Sequence, residues 1–282
     1  MQKLILIETS TALCSAAIAE DGVITSYRES SAPKAHASLT AVFIQEMLQE
    51  RGLTLADCDA VCVSKGPGSY TGLRVGVSTA KGLCFGSGKP LIAVGTLDTL
   101  VAQAHEIATT PAESRNDVKY IIPSDPTVIP SGSTVIPSEV EGSPFRFIIP
   151  MIDARRMEVY SAVFSSVKTS EDSTAVISSE AEGRVEKSFT QITETAPAII
   201  DENSFAEYLE QGPCLFIGDG AGKCADVIKH PNAHFCQCWP KASAMLSPAT
   251  EALNEKRFED VAYFEPFYLK EFVATVSKKK LF

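Results

Sequence analysis

The sequence predicts an α/β protein of two lobes, with a mixed sheet in the N-terminal lobe. Three observations lead to this fold class: a length of 282 residues, an apolar content of 45%, and the order of apolar runs in the first 108 residues. Because a single hydrophobic core seldom grows beyond about 250 residues, a chain of this length is expected to divide into two lobes.

Three consecutive antiparallel strands are predicted from the apolar runs 4–7, 14–19 and 23–27. Asp21 followed by Gly22 is a strong hairpin signal between the second and third runs. Helices and strands alternate after them. The predicted segments are, in order, a helix over 36–51, a strand over 60–63, a helix over 71–85, a strand over 91–94 and a helix over 96–108. This is the order of elements in one lobe of actin, sugar kinases and Hsp70, and we assign that architecture by analogy.

The remaining chain divides into an insertion, a second lobe and a tail. Residues 109–144 hold six of the 16 prolines and two copies of Thr-Val-Ile-Pro-Ser, which predicts a disordered or extended insertion. A tandem docking motif is the alternative interpretation of the repeat. A smaller second lobe is predicted over 145–241, with two weak strands near 173–190, followed by a C-terminal helix and tail over 242–282.

Composition restricts the function classes. A net charge of −10 and a pI near 5.0 argue against a chain that binds nucleic acid by itself, so such contact is expected to be shared or indirect. The N-terminal apolar run is too short for an export signal or a membrane span. Eight cysteines without a CxxC pair are typical of reduced thiols. We therefore expect a cytoplasmic protein without disulfides and without membrane contact.

The segment 65–76, Lys-Gly-Pro-Gly-Ser-Tyr-Thr-Gly-Leu-Arg-Val-Gly, predicts a specialised turn from a strand into a helix. Its glycines remove side chains where the backbone folds tightly or a neighbour approaches closely. Ser69 or Thr71 is expected to cap the helix. An anion site at the helix N-terminus and a plain cap with tight packing both remain open.

Two polar turns are candidate nucleotide contacts. The candidates are Glu8, Thr9 and Ser10 after the first strand, and Gly218, Asp219 and Gly220 before a later helix. A carboxylate could hold a cation there, and hydroxyls and backbone amides could hold phosphoryl oxygens. Each motif is short enough to be an ordinary turn, so both interpretations remain open.

Neither a metal centre nor a catalytic residue is predicted. His230, His234, Cys236 and Cys238 are metal-ligand types, but Pro231 and the alternation of a strand favour buried thiols there. The chain has no Gly-x-Ser-x-Gly elbow, and its four histidines lack an identifiable serine or cysteine partner.

Two predicted helices could pack within the chain or against a partner. The helix over 71–85 carries small residues on much of its circumference, which allows another helix to approach closely. The helix over 36–51 has an apolar face. Periodicity by itself favours an interior layer, because amphipathic faces mostly pack within their own chain.

Four motifs resemble those of the TsaB family of tRNA threonylcarbamoyladenosine biosynthesis proteins. They are Glu8-Thr-Ser-Thr, the segment Gly66 to Gly76, Asp153-Ala-Arg-Arg-Met-Glu-Val-Tyr160 and Gly218-Asp-Gly-Ala221. Pro266-Phe-Tyr-Leu-Lys270 is similar to the closing Pro-x-Tyr-Leu-Arg pattern of that family. The resemblance implies a noncatalytic relative of TsaD, the transferase that modifies the adenosine beside the anticodon.

The resemblance also implies partners. The chain would be a scaffold that pairs with a TsaD-type transferase through its two helices, is joined by a TsaE-type ATPase, and meets tRNA through the complex. This reverses the preference for an interior layer. The implied interface residues are Leu39, Val42, Phe43, Met47, Arg74, Val77, Ser78 and Lys81. A homodimer, and ATP or ADP with Mg²⁺ at a shared interface, are further expectations.

Departures from the family pattern bear on the rival functions. His36 is followed four residues later by Thr40, where TsaD carries the second histidine of its metal motif, which disfavours metal-assisted transfer by this chain. Glu8 stands where the family more often has aspartate. The first alternative is a self-sufficient ATPase or small-molecule kinase that uses Glu8, Thr9 and Ser10. A metallopeptidase is the second alternative, and no ligand set supports it.

Overall fold

The computed structural model describes residues 2–109, 119–121, 145–166 and 189–269. Five strands form the first sheet, in the order β3-β2-β1-β4-β5. Their bounds are β1 (Lys3–Glu8), β2 (Cys14–Glu20), β3 (Val23–Ser30), β4 (Ala60–Gly66) and β5 (Leu91–Gly95). The strands β1, β2 and β3 pair antiparallel, whereas β1, β4 and β5 run parallel. The predicted mixed sheet is therefore confirmed.

Local sequence signals set the turns of this lobe. Asp21 and Gly22 both have positive φ angles, 49° and 78°, which is the backbone of a tight hairpin turn. The first crossover helix is α1 (Ala35–Arg51), and it ends at Gly52 in the left-handed region. The second is α2 (Tyr70–Ser87). Both helices cover one face of the first sheet.

The second sheet has the order β10-β9-β7-β12-β13-β6, and β8 and β11 extend it from β7. Its strands are β6 (Lys119–Ile121), β7 (Phe147–Asp153), β8 (Glu158–Ser161), β9 (Phe164–Ser165), β10 (Thr190–Gln191), β11 (Ala196–Ile199), β12 (Cys214–Gly218) and β13 (Ala233–Gln237). It also carries the short helices α4 (Ala206–Leu209) and α5 (Ala221–Cys224). In the described residues this sheet has eight strands and the first has five, and the relative size of the two lobes stays a prediction.

Two calls from the sequence fall partly on residues outside the described ranges. Within the insertion predicted to be disordered or extended, β6 pairs antiparallel with β13 at the edge of the second sheet. Residues 110–118 and 122–144 lie outside the described residues. The weak strands predicted near 173–190 also lie outside them, except at the start of β10.

Two helices each pack against the sheet that is not their neighbour in the sequence. Helix α3 (Thr96–Thr109) follows the first sheet in sequence, but its Leu100 packs in one cluster with Ile217 of β12. Helix α6 (Leu246–Asn254) follows the second sheet, but its Ala249 packs in one cluster with strands β1 and β5. The predicted boundaries at 108 and 242 follow the chain order, whereas the hydrophobic clusters do not. No helix in the described part of the chain is long and apolar enough to cross a membrane.

Candidate functional site

The glycines of α2 let this helix lie directly on the loop between β1 and β2. A side-chain Cβ at Gly72 would lie 2.1 Å from the carbonyl oxygen of Thr9, and one at Gly76 would lie 2.1 Å from Thr9 Oγ1. At Gly68 the same atom would lie 2.3 Å from the carbonyl oxygen of Ser10. These distances are far below van der Waals contact. The glycine-rich segment therefore serves a close approach of backbone to backbone.

Ser69 fixes the start of α2. Its Oγ accepts a hydrogen bond from the backbone N–H of Gly72 at 3.3 Å, which confirms the predicted cap. Its own N–H donates to the carbonyl oxygen of Ser10 at 2.6 Å. The cap and the loop between β1 and β2 are thus joined at the same point.

The candidate nucleotide contacts at the end of β1 lie beneath this helix. Glu8 and Thr9 are 0% exposed and Ser10 is 1% exposed. Glu8 Oε1 accepts the N–H of Ser10 at 2.6 Å, while Glu8 Oε2, Thr9 Oγ1 and Ser10 Oγ have no hydrogen-bond partner among the described residues. Burial raises the pKa of Glu8 from 4.5 to about 7. These groups are therefore held away from solvent, and their contact with a nucleotide stays a prediction.

The second candidate turn closes on a neighbouring hairpin. A Cβ at Gly218, where φ is 132°, would lie 2.2 Å from the carbonyl oxygen of Met151. Asp219 Oδ1 accepts the N–H of Asp153 at 2.9 Å, and burial raises the pKa of Asp219 to about 6. Gly220 donates its N–H to the carbonyl oxygen of Met151 at 3.0 Å. Each of these three residues has a structural contact, and a role toward phosphate stays a prediction.

The histidine and cysteine cluster does not converge. His234 and Cys236 lie on the same face of β13, but His234 is exposed and Cys236 is fully buried. His230 Nδ1 accepts the N–H of Asn232 at 3.1 Å. In the described ranges, no group of three or more His, Cys, Asp or Glu side chains is placed to hold a metal ion.

Three of the implied interface residues belong to the core. Phe43 is 9% exposed, Met47 is 0% exposed and Val77 is 4% exposed, and all three pack in the cluster between the first sheet and its covering helices. A partner cannot contact such side chains directly. We therefore correct the implied interface by removing these three residues, because the chain itself covers the apolar face of α1 and Val77 of α2.

The surface that α2 presents to solvent lies on the opposite side of the helix. We call it the α2 outer face, and it consists of Arg74, Ser78, Gly82, Phe85 and Gly86, all exposed. A Cβ built at Gly82 or Gly86 meets nothing within 4 Å, so the backbone is open to a neighbour there. Phe85 is 87% exposed. Sequence reasoning missed Phe85, although its spacing of seven residues from Ser78 places it on the same face.

Two implied interface residues of α1 are at least partly exposed. Val42 is 39% exposed, and Leu39 is partly buried against the core cluster. Leu39 and Val42 therefore remain predicted interface residues.

The C-terminal tail packs along the flank of α2. Lys81 Nζ donates to the carbonyl oxygens of Ala262 at 3.0 Å and Phe264 at 3.1 Å, so this implied interface residue is already engaged. Between these two anchors, Tyr263 is 84% exposed. The tail therefore adds an aromatic side chain beside the α2 outer face.

Arg74 is also engaged within the chain. Its guanidinium lies over the ring of Tyr70, 5.3 Å from the centroid, and this ring lies 4.9 Å from that of Tyr268. The side chain of Arg74 remains exposed and its direction is set by this stacking.

Comparison with known proteins places this surface within a matched region. The family model described as TsaD, tRNA N6-adenosine threonylcarbamoyltransferase, matches residues 25–114, from β3 through α3. The TsaB protein of Escherichia coli K12 is 35% identical over 102 residues, which are 36% of this chain and 44% of that protein. The TsaB protein of Haemophilus influenzae is 38% identical over 104 residues, 37% of this chain and 44% of that protein. The resemblance to TsaB is confirmed.

The TsaB-like chain thus spans 44% of the length of these two curated relatives. The similarity in fold covers more of the chain than the similarity in sequence. A solved structure of YeaZ from Pseudomonas aeruginosa superposes with a TM-score of 0.68 at 20% sequence identity, covering 95% of this chain and 100% of that one. The predicted two-lobed actin-like, sugar-kinase-like and Hsp70-like α/β fold is therefore confirmed across both lobes.

Proposed function

We propose that this TsaB-like chain is a noncatalytic scaffold and activator in tRNA threonylcarbamoyladenosine biosynthesis. It pairs through the α2 outer face with a TsaD-type transferase, and a TsaE-type ATPase joins the pair. The observation that carries this proposal is an exposed helix face that combines open glycines with an exposed Phe85.

The chemistry of this face fits a second helix. Gly82 and Gly86 leave the backbone uncovered, so a partner helix can approach more closely than side chains normally permit. Phe85 offers a large apolar side chain whose burial would contribute about 2 kcal/mol. Exposed aromatic side chains of this kind are enriched where proteins meet.

The relatives supply the kind of partner. The matched family model covers both α1 and α2, so a TsaD-type protein is expected to present a similar helix pair. Two similar surfaces can meet around an approximate two-fold axis, as in other isologous interfaces. The same geometry permits a homodimer when the transferase is absent.

Two features support an accessory role. The groups at the end of β1 are buried, and α1 carries His36 and the buried Thr40 in place of a pair of histidines. The net charge of −10 favours indirect contact with tRNA through the complex. ATP or ADP with Mg²⁺ at the shared interface, and a cytoplasmic location, are further parts of the proposal.

Reconstitution tests the function. Threonylcarbamoyl formation on tRNA is measured with the synthase, the transferase and the ATPase, with and without this chain. Product formation should fall strongly without it. Undiminished product in its absence, or ATP turnover by the isolated chain, would contradict the scaffold role.

A charge on the α2 outer face tests the interface. Ser78→Arg places a guanidinium between the partner helices and should abolish pairing in size-exclusion chromatography. Ala206→Arg adds the same charge at an exposed position of α4 and should pair normally. Equal pairing of both variants would exclude this face.

A further inference from the structure

A cleft lies where the two lobes meet, at the carboxyl ends of β4 and β5. It contains two adjoining cavities of about 530 Å³ and about 460 Å³. Lys65, Gly95 and Asp98 line both cavities and therefore stand at their junction. Ligands of open α/β sheets bind at the carboxyl ends of parallel strands, and small-molecule sites have volumes of about 300–1,000 Å³.

The junction carries a cation and a carboxylate that are not paired with each other. No ion pair or hydrogen bond joins the Lys65 ammonium to the Asp98 carboxylate. Burial raises the pKa of Asp98, and this effect outweighs the opposing influence of Lys65 and Arg257. Both charged groups line the cleft with opposite signs, and the structure shows no ion pair between them.

The surroundings of this pair select the kind of ligand. Phe164 and Phe189 line the larger cavity and offer an apolar wall. Glu251 and Glu194 add carboxylates to the larger and the smaller cavity respectively. Arg257 also lines the larger cavity and pairs with Glu251 at 3.4 Å, so Asp98 and Glu194 are the carboxylates that disfavour a polyphosphate by like-charge repulsion. A small molecule with one charge of each sign meets no such repulsion.

We propose that this cleft binds a free amino acid, with its carboxylate at Lys65, its ammonium at Asp98 and an apolar side chain against Phe164 and Phe189. A zwitterion supplies each of these two groups with a partner of opposite charge in direct contact. The proposal uses residues of the cleft and does not depend on the pairing of α2 with a partner.

Thermal shift measurements test the site on the full chain. Each of the twenty L-amino acids is added at millimolar concentration, and at least one with an apolar side chain should raise Tm. The binder is then titrated by calorimetry beside its two analogues that lack the ammonium or the carboxylate. Each analogue should bind at least about tenfold more weakly, because one charge-assisted contact is lost.

Two variants and one control locate the site. Lys65→Met and Asp98→Asn should each weaken binding at least about tenfold, and the asparagine retains a hydrogen-bonding oxygen near Gly95. Lys229→Met removes a cation in the second lobe and should bind normally. No rise in Tm with any amino acid, unchanged affinity of Lys65→Met, or stabilisation by inorganic phosphate or ADP instead would overturn the proposal.

Discussion

The carboxyl group of Glu8 is fully buried, and desolvation raises its pKa from 4.5 to about 7. The folded chain therefore holds this proton more tightly than the unfolded chain. The associated stability is fully present below pH 4.5 and is lost as the pH rises to about 7. Glu8→Gln should remove this loss. The difference in the free energy of unfolding between the variant and the native chain should therefore be roughly 3 kcal/mol larger above pH 7 than at pH 4.5, in favour of the variant.

Urea unfolding at pH 5 and pH 8 measures this difference. Glu46→Gln changes an exposed carboxylate on α1 and serves as the control, which should follow the native chain at both values. If the free energy of unfolding depended on pH in the same way for the native chain and for Glu8→Gln, burial would not disfavour the ionised form of Glu8.

Two glycines of α2 make a matched pair. Gly76→Ala forces a methyl group into Thr9 Oγ1 and should destabilise the chain by about 1–3 kcal/mol. Gly82→Ala meets open space within the same helix and should stabilise it by about 0.5–1 kcal/mol. Denaturant midpoints check both values, and equal effects would contradict the close approach at Thr9.

Lys81 attaches the C-terminal tail to α2. Lys81→Met removes two hydrogen bonds to the carbonyl oxygens of Ala262 and Phe264 and should lower the free energy of unfolding by about 1–3 kcal/mol. Hydrogen exchange of the amides around Tyr263 should accelerate. Lys89→Met is the control, and slow exchange in both variants would mean that other contacts hold the tail.

Local signals explain how far the elements could be predicted. Gly52 ends α1, Ser69 starts α2, and Asp21 with Gly22 turns the hairpin, since each acts within a few residues of itself. The amphipathic pattern of α1 shows that one face is apolar, but it does not show what covers that face. Periodicity favoured an interior layer, and the resemblance to TsaB moved Phe43, Met47 and Val77 to an interface.

Long-range packing could not be predicted from the sequence for a related reason. The exchange of α3 and α6 joins residues far apart in the chain, and hydrophobic periodicity carries no partner information. The cleft was missed as well, because Lys65 and Asp98 belong to different elements and meet only in the folded chain. Motif reading found the buried turn at Glu8 instead.

The helix exchange should make the whole molecule unfold as one unit. Leu100 of α3 is fully buried in the cluster under the second sheet, so Leu100→Ala should cost about 2–5 kcal/mol. Fluorescence of Trp239 and far-UV circular dichroism should nevertheless report one coincident transition in both proteins. Separate transitions would show that the lobes are energetically independent.

The same exchange limits how the chain can be divided for expression. A fragment cut after residue 108 would lose α6, and the side chains of Leu6 and Ile92 would become water-exposed on an open sheet. Such a fragment would adhere to many proteins through that sheet. Bait proteins for isolating binding partners should therefore retain α6.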